Sequence, residues 1–81
     1  MGSRLKVLSG KDIMKILSNF GFSVHSQKGS HIKLKRFSSV GTETLLVPDR
    51  NQIPKGTLKA ILNQSSKYIP NSELQEHFFN K

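Results

Sequence analysis

The stretch Gln27-Lys28-Gly29-Ser30-His31-Ile32-Lys33-Leu34-Lys35-Arg36 limits what this chain can become more than any other. A Gly-Ser turn leads into a run in which polar and apolar side chains alternate. Successive side chains of a strand point to opposite faces, so His31, Lys33 and Lys35 share one face while Ile32 and Leu34 share the other. Such a strand needs a core on one side and water on the other, as in an antiparallel sheet with one solvated face. Phe22 and Val24 begin a partner strand just upstream, with Ser23, His25 and Gln27 on its opposite face.

Parity then restricts the turn. With Gly29-Ser30 alone as a two-residue loop, Val24 would lie opposite Lys35. Pairing Val24 with Leu34 keeps apolar against apolar and needs an odd loop, Lys28-Gly29-Ser30, with Gln27 opposite His31. A slip of one residue would send every side chain to the wrong face. The expected turn is therefore three residues long, or bulged.

Ser9 followed by Asp12 resembles a capping box. Ile13, Ile16, Leu17 and Phe20 then recur at helical spacing, and Gly21 suits the end of a helix over about 10–20. Residues 38–42 read as a loop, and Thr44–Val47 as a third, short strand ended by Pro48. Pro54 opens a second helix with Leu58, Ile61 and Leu62 on its apolar side, ending near Ser65. Pro70-Asn71-Ser72 introduces a last short helix carrying Leu74 and Phe78, with Ser72 or Asn71 as its cap. The order α-β-β-β-α, plus a short C-terminal helix, predicts a two-layer α+β sandwich with the helices on one face of the sheet.

Eighty-one residues suffice for one domain, 1–81, with a modest core. The formal charge is +8, and residues 1–36 carry eight basic groups against the single acid Asp12. A basic half of this kind points to a polyanion, nucleic acid first. The chain has no cysteine, so disulfides and thiolate metal sites are excluded. No apolar run reaches the ~20 residues of a membrane span. The amino terminus lacks the apolar stretch of a signal peptide, which leads to the expectation of a cytoplasmic protein with no membrane partner.

His31 is the sharpest chemical candidate. A histidine accepts or donates a proton at cell pH. RNA carries its own nucleophile, the 2′-hydroxyl, so a strand-cutting protein needs one proton acceptor and cations that stabilise charge on phosphorus. Lys28, Lys33 and Lys35 are the candidate phosphate contacts. Gly29-Ser30 offers backbone N–H groups to an anion. The blander readings are an exposed strand start for His31 and a turn that needs glycine for Gly29. Arg36 falls on the core-facing side by parity, where its stem would snorkel or pass the sheet edge. His25 reads as a surface residue and His77 as a structural one. The three histidines show no metal-ligand spacing and no acidic cluster accompanies them, so neither a metal nor another cofactor is expected.

Gly21-Phe22, then Gln27-Lys28-Gly29-Ser30-His31, then Val47-Pro48, then Gly56-Thr57-Leu58-Lys59-Ala60-Ile61-Leu62 resemble, in order and spacing, the HicA toxin family of bacterial type II toxin–antitoxin systems. The resemblance covers about residues 9–66. It implies a fold similar to a double-stranded-RNA-binding domain and a metal-independent mRNA endoribonuclease that halts translation. It also implies His31 as the catalytic residue and a HicB-type antitoxin that masks the basic face. Family members often carry Pro-x-His after the third strand; here Pro48-Asp49-Arg50 offers charge but no easy proton transfer. The alternative from another class is a non-catalytic basic RNA-binding module, which would bind RNA and leave every strand intact.

Overall fold

The computed structural model describes residues 4–80. The elements run β1 (Arg4–Leu5), α1 (Gly10–Ser18), β2 (Ser23–Lys28), β3 (His31–Ser38), β4 (Gly41–Pro48), α2 (Lys55–Ser65), α3 (Asn71–Phe78) and β5 (Phe79–Asn80). Strands β2, β3 and β4 form an antiparallel sheet in that order. Ile32, Leu34, Leu45 and Val47 leave one face of it to meet Ile13 and Leu17 of α1, Leu58, Ile61 and Leu62 of α2, and Leu74 and Phe78 of α3. This is the expected α+β arrangement, with a helical layer on one side of the sheet. Each fully buried side chain of this size contributes roughly 1.5–3 kcal/mol of burial free energy.

The capping box is present. The Asp12 N–H donates to Ser9 Oγ and the Ser9 N–H donates to the Asp12 carboxylate, both at 3.0 Å. The hydrogen bond from the Ser9 backbone, then that from its hydroxyl, hold the Asp12 carboxyl below its ordinary 3.8. Helix α1 stops at Ser18, two residues short of its predicted end, and Gly21 (φ 92°) turns the chain out of it. At the other end of α1 a Cβ on Gly10 would collide with the Pro48 carbonyl oxygen, so the helix start is pressed against the end of β4. The Gly10 N–H donates to the Arg50 carbonyl at 2.8 Å.

Three further expectations are corrected. The 38–42 loop shrinks to Ser39–Val40, because the β3–β4 ladder continues to Ser38↔Gly41. Helix α3 has Pro70, not Asn71 or Ser72, at its N-cap and no side-chain cap; the Asn71 side-chain Oδ1 instead accepts a long 3.5 Å bond from Gln75 Nε2. No expectation covered strands β1 and β5, two residues each, which pair antiparallel and join the two ends of the described chain. The third correction, the turn before His31, bears on the site. Residues 1–3, read above for a targeting segment, lie outside the described residues.

Candidate nucleic-acid interface

The β2–β3 loop has two residues, not three. Lys28 pairs with His31 across Gly29-Ser30, and Gly29 has φ 60° while among the described residues no other residue type takes a positive φ. Glycine first, with an ordinary residue second, fits a type II′ hairpin turn, whose twist matches that of the strands. Nothing crowds a Cβ built on Gly29, so the backbone conformation alone selects glycine there. The odd residue that parity demanded is His25, bulged out of β2 between Val24 and Ser26. Val24 still faces Leu34, as expected. The bulge swaps the residues near the tip: Lys28, not Gln27, lies opposite His31.

That swap gives Gln27 a different task. Its amide nitrogen donates to the Gly29 carbonyl at 3.0 Å and to the Asp49 carboxylate at 3.2 Å. The Asp49 N–H donates to the Ser30 carbonyl at 2.7 Å. The tip is thereby tied to the segment leaving β4. Sequence reading missed both Gln27 and Asp49, since contacts between residues 22 positions apart leave no local pattern.

The face turned away from the helices carries Lys28 on β2 and His31, Lys33 and Lys35 on β3. Cross-strand neighbours such as Lys28 and His31 stand roughly 4.5–5.5 Å apart at Cβ. Lys28, His31 and Lys33 are exposed and Lys35 is half-buried. On β4, the opposing residues Pro48, Leu46, Thr44 and Thr42 are all uncharged. Among the described residues the one ion pair is Arg36–Glu43, so none of these three lysines is neutralised by a protein carboxylate. His25 is exposed at its bulge, and His77 packs edge-on against Phe20 with ring centroids 5.6 Å apart.

Arg36 sits on the inner side of the sheet. Its Nε donates to Glu43 Oε1 at 2.6 Å, and its two other nitrogens donate to the Phe20 carbonyl at 2.8 Å and the Tyr68 carbonyl at 3.0 Å. The guanidinium also lies 4.8 Å from the centre of the Phe22 ring. This cation belongs to the architecture, not to the basic face.

The lysine-bearing face is open. A groove of about 500 Å³ lies elsewhere, between α1 and β2, against Met14, Phe22, Val24 and Leu34. Small-molecule sites are concave. An open sheet face with unpaired cations suits an extended anion instead. Among the described residues no group of three or more His, Cys, Asp or Glu could hold a metal ion, and no helix is long and apolar enough to cross a membrane.

Comparison with known proteins gives one finding. The family model described as the HicA toxin of bacterial toxin–antitoxin systems matches residues 10–66. No curated protein and no solved structure shows a match.

Proposed function

The chain belongs to the HicA toxin family, and from that premise we propose that it is a metal-independent endoribonuclease that cleaves mRNA and so inhibits translation. The observation that carries this reading is the position of His31: exposed, on the outer face, across from Lys28 and two residues from Lys33. His31 acts as general base or acid. As a base it takes the 2′-hydroxyl proton, the 2′-oxygen bonds to phosphorus, and the 5′-oxygen leaves and is protonated. The products are a 2′,3′-cyclic phosphate and a 5′-hydroxyl. No bound group is needed in this sequence of steps, because the nucleophile belongs to the RNA itself.

Lys28, Lys33 and Lys35 hold the phosphodiester and offset the charge that grows on its oxygens. Gly29 and Ser30 contribute the exposed backbone of the tip. Family membership implies a cognate antitoxin. We take it to be of the HicB type and to cover the basic face, where the unpaired lysines favour an acidic surface.

The test is His31→Ala, prepared from the antitoxin complex. The exposed side chain leaves the fold intact, and cleavage falls by ~10²–10⁴-fold, the range of general acid–base catalysis. Wild-type cleavage persists in EDTA and leaves cyclic-phosphate ends. A folded His31→Ala protein that still cuts RNA removes His31 from the mechanism. Cleavage lost in EDTA sinks the metal-free route, and salt-sensitive binding with every strand intact makes the protein a binding module.

A further inference from the structure

Five phenylalanines are present in the chain. Phe22 and Phe78 are buried, and Phe20 and Phe79 pack against the core. Phe37 alone stands in solvent, 75% exposed. A single exposed apolar side chain is ordinary; the place of this one is informative. The β3–β4 register runs without a bulge from His31↔Pro48 to Phe37↔Thr42. Phe37 therefore shares the outer face with His31, Lys33 and Lys35, at the end of their row. At ~3.3 Å per residue the ring stands about 20 Å from the imidazole, several nucleotides along an extended strand.

The surroundings of the ring select its occupant. The outer-face residues opposite this row, Ser23 and Ser26 on β2 and Thr42, Thr44 and Leu46 on β4, include no acid. Glu43 lies on the inner side and is taken by Arg36. The turn beyond Phe37 is set by the Ser38 hydroxyl, which donates to the Gly41 carbonyl at 3.0 Å and accepts from the Val40 N–H at 3.3 Å. Ammonium groups in line with an aromatic ring match the two parts of single-stranded nucleic acid, phosphate and base face. An RNA duplex keeps its base faces stacked inside and offers none to a ring.

We propose that Phe37 is a base-stacking residue, and that the row from Lys28 through His31, Lys33 and Lys35 to Phe37 binds an unpaired RNA segment with one base laid on the ring, several nucleotides from the bond that is cut. This rests on reading the face as an RNA surface and adds a preference for single strands, with a fixed distance between stacking point and cleavage point.

The experiment uses short single-stranded oligonucleotides with 2′-deoxyribose at the cleavage point, so that they bind without being cut. 2-Aminopurine is placed at successive positions along them. Wild-type protein quenches its fluorescence at one position and not at its neighbours. Phe37→Ala removes that quench and weakens binding roughly tenfold, while Phe37→Trp keeps both. On cleavable RNA, Phe37→Ala raises KM and leaves kcat nearly unchanged, and substrates too short to reach the ring show no effect. His31→Ala retains the quench. The inference is overturned if Phe37→Ala binds single strands as the wild type does, or if it loses only the antitoxin, which would make Phe37 a protein contact. A wild-type quench without cleavage defeats the nuclease reading alone. His31-dependent cleavage without a quench defeats the stacking proposal alone.

Discussion

Lys35 and Arg36 are consecutive cations on one strand, yet they live on opposite sides of the sheet. Arg36 meets a carboxylate and two backbone carbonyls and lies over an aromatic ring. Among the described residues Lys35, with Lys33 and Lys28, forms no ion pair with a protein acid. Charge count treats the four alike, and only the partner set separates a structural cation from one left over for a ligand. The side chains follow the same division. A planar guanidinium serves three separated acceptors at once, whereas an ammonium is a mobile point charge suited to a phosphate that comes and goes.

The strongest test of this contrast is Arg36→Met. It leaves Glu43, itself 16% exposed, without its partner and strips two carbonyls of their donor. Hydrogen bonds to a charged group are each worth about 1.5–3 kcal/mol, and the 25% exposure of Arg36 weakens them. The net loss should be about 2–3 kcal/mol, seen as a melting midpoint lower by roughly 10–20 °C. Arg36→Lys should recover less than half, since one ammonium cannot span three acceptors. A midpoint unchanged by Arg36→Met would dissolve the distinction between the two faces.

The converse test is Lys33→Gln with Lys35→Gln. Neither change touches the core, so thermal stability should stay within ~0.5 kcal/mol of wild type. RNA affinity should fall, and the slope of log K against log salt should shrink by about 0.7 per lysine for a single strand. A drop in melting temperature with an unchanged salt slope would move these lysines to the structural side.

The same division explains what could be read from the chain. The row His31, Lys33, Lys35 follows from period two alone, which holds once β3 is a strand. The helices follow from Ser9 with Asp12, from Pro54, and from the spacing of their apolar residues. Parity showed that one residue in the β2–β3 hairpin had to be absorbed, but not where. A two-residue turn beginning with Gly29 is favoured for its twist, so the surplus moved up the strand to His25. That choice placed Lys28 beside His31. The anchors of Arg36 are backbone carbonyls 16 and 32 residues away, and every residue type carries a carbonyl. The β1–β5 pairing is two residues long and joins distant segments, which leaves no periodicity to detect.

The acids extend the contrast and give the smallest effect. Glu43 is bound to a side chain across the sheet, whereas the Asp12 carboxylate accepts from the Ser9 N–H at the exposed start of α1. The Asp12 carboxyl titrates below its ordinary 3.8 in the folded protein. The unfolded chain then binds its proton first as acid is added. The stabilisation is complete above the ordinary carboxyl value and is lost as the pH falls below it, through the folded value. Melting curves of Asp12→Asn should therefore differ from wild type most near neutral pH and converge with it in acid. Substituting Asp12 should leave RNA binding at the far face unchanged. A gap that widened in acid would show that the capping box is not what holds this carboxyl ionised.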